Sequence, residues 1–271
     1  MALSWSNTFG LNRNLLAASL RILQENPGID NQRLAQELGV GGQKGTGYSG
    51  WLLYTGLRDI RPKEVTEIGR IILRFDPYIE DPVTQGMLHY SLCINNNASV
   101  WNHLSTHFIP QRDSFSRTEV TDSCLAFGLG KEGSKNKHLV SDIGIFLKAY
   151  TDTEGFLGLD YLQEQSNGNY RRGNMANIVS PFLVAYVIYS QRQQIPQTST
   201  ISIGRLLSED GNVGKTFLMN RQYLMDKLKH LEFLGFVRIS QEADLDNITY
   251  THSDSCLDIL LMYYEKSKQI T

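Results

Sequence analysis

The stretch from Asn220 to Thr251 constrains this chain most. Leu224, Leu228, Leu231 and Leu234 recur at helical spacing and Gly235 follows at once. Glycine takes the left-handed conformation that ends a helix without a Cβ penalty. Residues 236–240 then read as a strand, 242–247 as a polar turn and 248–251 as the return strand. Ser253-Asp254 opens a last helix through Leu257, Leu260, Leu261 and Tyr264. Upstream, Ile201 and Ile203 alternate as in a strand, and 205–209 is a short helix. A helix stopped by glycine, then a hairpin, then another helix is the order expected of a winged helix.

A similar order opens the chain. Leu15, Leu16, Leu20 and Leu23 mark a helix over 11–24 that Pro27-Gly28 ends, and Asp30 caps a second with Leu34 and Leu38. Gly39 stops that helix, and a glycine-rich stretch, 41–47, follows. A third helix spans 48–57, with Trp51 and Leu52 apolar. Residues 58–63 form a short basic hairpin, and Ile68, Ile71, Ile72 and Phe75 share one face of a helix halted by Asp76-Pro77. The residue before proline is pushed out of the α region.

The middle is helical as well. Asp81-Pro82 sets a cap before a first-turn proline, and Ser116 with Glu119 matches a capping box. A second helix-turn-helix is expected at 116–150, with a basic turn at 131–137 and Lys135, Lys137 and His138 opening its last helix. Residues 151–175, rich in Gly, Asn and Asp, are expected to be loop apart from a short turn at 159–162. Ser180-Pro181 caps an apolar helix, and 196–200 reads as a linker. The expected regions are a winged-helix-like unit at 1–76, a helical region at 77–195 and a winged helix at 196–271. The fold class is mainly α, with several helix-turn-helix or winged-helix units and short β-hairpin wings.

Net charge is -2, so the whole surface is not built for nucleic acid. Any contact must come from local cations, which supply the salt-dependent part of affinity. The candidates in the first unit are Lys44, Tyr48, Arg58 and Arg61. Lys135 and Lys137 follow in the middle. In the last unit Arg221 and Gln222 would face base edges, Lys227 and Lys229 would face phosphates, and Arg238 would lie in the wing. That wing also holds Glu242, Asp244 and Asp246, which a phosphate backbone repels. DNA contact and protein contact therefore both stay open for this unit. The glycines at 39–50 with Lys44 and Thr46 read either as a backbone cradle for a phosphate or as a plain turn. Neither they nor Gly214-Lys215-Thr216 match P-loop spacing.

Cys93, Cys124 and Cys256 are odd in number and widely spaced, so they read as buried thiols rather than a disulfide or zinc set. His103 and His107 share a helix face without a third ligand and read as packing residues. Asp76, Glu80 and Asp81 read as caps, or else as carboxylates able to hold Mg²⁺. The sequence indicates no metal site and no cofactor. Without a signal peptide or an apolar run of ~20 residues, a cytoplasmic protein away from membranes is expected.

The segment Phe75-Asp76-Pro77-Tyr78-Ile79-Glu80-Asp81-Pro82-Val83-Thr84, continued by Met87-Leu88-His89-Tyr90, resembles a bacterial domain-of-unknown-function family, number four thousand and seven. Residues 101–108, Phe115-Ser116-Arg117-x-Glu119, 142–151, Leu38-Gly39-Val40-Gly41, Thr66-x-x-Gly69 and Gly214-Lys215-x-Phe217 are similar too. The chain departs from the family pattern at Asn7, where histidine is usual, and in the glycine density of 41–50. The family is associated with DNA phosphorothioation gene clusters of the Dnd and Ssp type, which support defence against phage. The resemblance implies a DNA-binding accessory protein that positions partner enzymes of a modification or defence complex on double-stranded DNA. It also leaves room for a metal-dependent nickase, since a component of such systems nicks DNA, and for an adaptor without DNA contact. Helix-turn-helix proteins often bind as dimers, so a homodimer is compatible.

Overall fold

The computed structural model describes residues 3–130, 134–194, 199–242, 245–253 and 255–268. The chain is mainly helical and divides into two compact units, Met1–Gly173 and Asn174–Thr271. Each carries one small antiparallel sheet.

The first unit begins with α1 (Arg13–Glu25), α2 (Asn31–Glu37), α3 (Gly42–Tyr54) and α4 (Glu67–Phe75). Three of these four starts have a side-chain cap. Asn12 accepts from the N–H of Leu15, Asp30 from those of Gln32 and Arg33, and Thr66 from that of Gly69. These bonds satisfy donors that a helix start leaves open. Between α3 and α4 the chain folds back on itself, with an antiparallel bridge from Arg58 to Val65. α5 (Pro82–Ile94) and α6 (Ser99–His103) follow, and α6 runs on into a π-helical turn, Leu104–Phe108. β1 (Ser114–Phe115) precedes α7 (Arg117–Ala126), which opens on the expected Ser116–Glu119 capping box. α8 (Ser134–Thr151) leads to β2 (Leu162–Glu164) and β3 (Tyr170–Arg172).

The sheet order is β1-β3-β2. The region expected to be loop thus contains two strands. They are short, and β3 is Tyr-Arg-Arg rather than an apolar alternation, so periodicity could not show them. The core is aromatic. Trp5, Trp51 and Trp101 form a triangle with centroid separations of 4.7, 5.5 and 5.6 Å, and Phe146 packs on Trp101 at 5.3 Å.

The glycine-rich stretch is also not a loop, since residues 42–47 form the first half of α3. A Cβ at Gly45 would lie 2.5 Å from the Ala35 Cβ, and one at Gly47 would lie 2.3 Å from the Ser6 carbonyl oxygen. Close packing of α2 and the N-terminal segment against α3 outweighs the weak helix propensity of glycine, roughly 1 kcal/mol per residue against alanine.

The second unit holds α9 (Met175–Ile178), α10 (Pro181–Gln194), β4 (Thr200–Ser202), α11 (Ile203–Ser208), α12 (Val213–Thr216) and α13 (Arg221–Phe233). β5 (Val237–Glu242), β6 (Leu245–Tyr250) and α14 (Cys256–Lys268) complete it, and the sheet order is β4-β6-β5. Leu224, Leu228 and Leu231 of α13 are buried, as their spacing requires. Gly235 ends the helix at φ 83°, a conformation that glycine adopts freely. Tyr189 of α10 donates to the Phe236 carbonyl at 2.6 Å, which ties α10 to the start of the hairpin. The start of the last helix differs in detail. Ser255 and Asp258 form its cap, the N–H of Asp258 donating to the Ser255 hydroxyl at 3.1 Å, while Asp254 lies outside the described residues. Among the described residues no helix is long and apolar enough to cross a membrane.

Candidate nucleic-acid interface

In the first unit, α2, α3 and the 58–65 hairpin form one candidate surface. Gly41 is the N-cap of α3, and no side chain caps this helix. The N–H groups of Lys44 and Gly45 turn back to the Gly41 carbonyl at 2.9 and 3.1 Å. A Cβ at Gly41 or Gly42 would meet open space. The first turn is therefore open to solvent at the end where aligned peptide dipoles favour an anion. Lys44 is partly exposed there, and Gln43 and Thr46 are exposed. Beside them a groove of about 610 Å³ runs between α2 and α3, with Asn31, Gln32, Gln36, Gln43 and Thr46 in its walls.

The other candidates of this unit separate. Arg61 is exposed. Arg58 instead braces the hairpin: its Nε donates to the Ser49 carbonyl and its Nη1 to the Asp59 carbonyl, each at 2.8 Å. Burial pushes its guanidinium below the usual value. Tyr48 lies inside, 1% exposed, and its hydroxyl donates to the Gly10 carbonyl at 3.1 Å. Burial pushes that phenol well up. Lys137 is exposed in the first turn of α8. The side chain of Lys135 and residues 131–133, with Lys131, lie outside the described residues.

In the second unit, Arg221 and Gln222 are exposed at the start of α13, which Asn220 caps. Here three cations pair with acids. Arg221 pairs with Asp246 on β6. Arg205 pairs with Glu209, and Lys215 with Asp210, both at 2.6 Å. Lys227 is half-buried, and burial pushes its amine down. Lys229 and Arg238 are exposed.

Asp76, Asp81, His89 and His103 have structural work. The Asp76 side chain accepts from the N–H groups of Glu80 and Asp81, at 2.9 and 3.0 Å. Asp81 accepts from the N–H of Val83 and caps α5. His89 is fully buried, with Nδ1 2.6 Å from the Tyr150 hydroxyl. His103 is buried with Nε2 3.0 Å from the Ser123 hydroxyl. Its imidazole is pushed down to about 4, by burial first and then by the neighbouring His107. All three cysteines are free and buried.

The family described as "Protein of unknown function (DUF4007)" matches residues 5–264. This chain belongs to the DUF4007 family. Two solved structures are similar to it, described as "Magnesium ion-bound SspB crystal structure" and "SspB crystal structure". Each is 18% identical with a TM-score of 0.80, and the match covers 97% of this chain and 88% of the other. At that identity the likeness is one of fold. No curated protein matches the chain significantly.

The motif that carries the DUF4007 resemblance, 75–90, is thus a helix junction. Asp76 is a carboxylate clasp, Asp81 caps α5, and His89 is a core residue of that same helix. The amides of α2 and the exposed Ile60 are not among the residues that the sequence singles out. Gln32 and Gln36, one turn apart on the face opposite Leu34, were the available signal for the amides. Ile60 had none, since one aliphatic residue in a basic turn carries no period.

Proposed function

We propose that this DUF4007 chain is a DNA-binding component of a phosphorothioation-type DNA modification and defence system. The first unit contacts the duplex, and the second contacts partner proteins. Both units are read as winged helices, with α3 and α13 as the recognition helices and the 58–65 and 237–250 segments as wings. The carrying observation is the contrast between their helix starts. The start of α3 has open glycines, no side-chain cap and Gln43, Lys44 and Thr46 around it. The start of α13 has its cap filled by Asn220 and its arginine held by Asp246. Phosphates favour the first arrangement, and exposed amides such as Gln43 suit base edges. The family's association with phosphorothioation clusters and the likeness to SspB support the setting.

The test is fluorescence anisotropy of the full chain with a mixed-sequence duplex and a phosphorothioate duplex, over a salt series. Affinity falling steeply with salt is expected from counterion release. No binding at low salt sinks the reading and leaves an adaptor that contacts protein alone. The magnesium in the description of one SspB structure favours a second reading, a metal-dependent nickase. Supercoiled plasmid left intact in the presence of Mg²⁺ would rule that out.

A further inference from the structure

The hairpin between α3 and α4 holds Ile60, Arg61, Pro62 and Lys63 in succession, so apolar and cationic residues alternate. Ile60 is 70% exposed. A single exposed aliphatic side chain is ordinary, but this one stands on a braced support. The N–H of Asp59 donates to the Glu64 carbonyl at 2.9 Å, and that of Thr66 to the Leu57 carbonyl at 3.0 Å. Arg58 ties the outgoing arm to Ser49 of α3. Lys63 ties the returning arm to α2, its Nζ donating to the Asn31 side-chain carbonyl at 3.0 Å. Leu57 and Val65 anchor the base in the core. The tip is therefore held by α2 and α3, the two helices that form the groove.

Its charge also differs from that of the other hairpin. The hairpin sums to one positive charge over Arg58, Asp59, Arg61, Lys63 and Glu64, whereas Arg238 is accompanied by Glu242, Asp244 and Asp246 in the second unit. Arg58 and Lys63 brace the support, and Arg61 is the cation exposed next to Ile60 at the tip. A cation beside an aliphatic side chain on a rigid projection suits the minor groove of DNA. The narrow groove concentrates negative potential that draws arginine, and an isoleucine can unstack a base step and bend the duplex.

We propose that this hairpin enters the minor groove of duplex DNA, with Arg61 lying along the groove and Ile60 wedging a base step so that the duplex bends. The proposal rests on the reading that the first unit binds duplex DNA. The two can fail separately.

The experiment uses the full chain and a duplex of about 25 base pairs, a length over which a bend is measurable, labelled at its ends for energy transfer. Wild-type protein is expected to raise transfer. Ile60→Ser is expected to abolish that rise while weakening binding less than about tenfold, because the phosphate contacts persist. Arg61→Ala is expected to reduce the salt slope by about one. Netropsin, which fills the minor groove, is expected to compete. Both positions are exposed, and circular dichroism checks that the variants fold. Wild-type binding without a bend, or an Ile60→Ser complex as bent as wild type, overturns the wedge and leaves DNA binding standing. No binding by wild type overturns both.

Discussion

Three glycines set how closely the first unit's layers approach α3. Gly45 admits Ala35 of α2, Gly47 admits the Ser6 carbonyl and Gly50 admits the Trp5 carbonyl, each at a separation that a Cβ would reduce to 2.5 Å or less. Gly45→Ala is expected to destabilise by about 1–3 kcal/mol through overpacking. Gly42→Ala, facing open space, is expected to be neutral or to stabilise by up to ~1 kcal/mol. Urea midpoints separate the two, and equal shifts would refute the packing account. Asp142 gives a second residue-level prediction. It is buried, and it accepts from the N–H of Ser4 at 2.7 Å. Burial pushes its carboxyl up to about 6, against the opposing pull of the Ser4 bond and His138. A folded value above the unfolded one of about 3.9 means that the folded state holds the proton more tightly. Its contribution is present in full below about pH 4 and is lost as pH rises through about 6. Asp142→Asn keeps an acceptor for Ser4 and cannot titrate. It is expected to gain on wild type more at pH 7.5 than at pH 4.5, in urea midpoints measured at both.

At the scale of elements, caps and stops were the legible part of the sequence. Asp30, Asp81, Ser116 and Asn220 all cap helices, because a short polar side chain before an apolar period has one strong use. Less legible were elements made by tertiary contact. α3 starts six residues before Tyr48, where its first apolar face was expected, because glycines there serve packing rather than flexibility. β2 and β3 exist only as partners of each other and of β1, and carry no period of their own. The same limit put Tyr48 among the surface candidates: its helix was identified, but which face turned inward was not. The junction of α4 and α5 supplies the prediction at this scale. Asp76 satisfies two backbone donors in the turn between these helices. Asp76→Ala leaves both without that acceptor and is expected to cost about 1–3 kcal/mol. If Asp76 instead held a catalytic ion, the variant would lose nicking at temperatures where thermal melting shows it fully folded.

For the molecule as a whole, the charge argument is one of distribution. A chain of net charge -2 gains nothing from its average field when it meets DNA. Binding must come from the few cations left facing solvent after pairing with acids. In the second unit, Arg205, Lys215 and Arg221 are paired, while Lys229, Arg238 and Lys266 are exposed. In the first, Lys44 is partly exposed at the open start of α3 and Arg61 is exposed on the 58–65 hairpin. Replacing Lys44 and Arg61 together by alanine, or Lys229 and Arg238 together, yields variants of the same net charge. The first pair is expected to lower the salt slope of DNA binding by about two, one for each phosphate that is no longer neutralised. The second is expected to leave the slope unchanged and to weaken a protein interaction instead. Anisotropy over the same salt series distinguishes them. Equal effects from both pairs would mean that binding follows total charge, and the assignment of DNA to the first unit would fall.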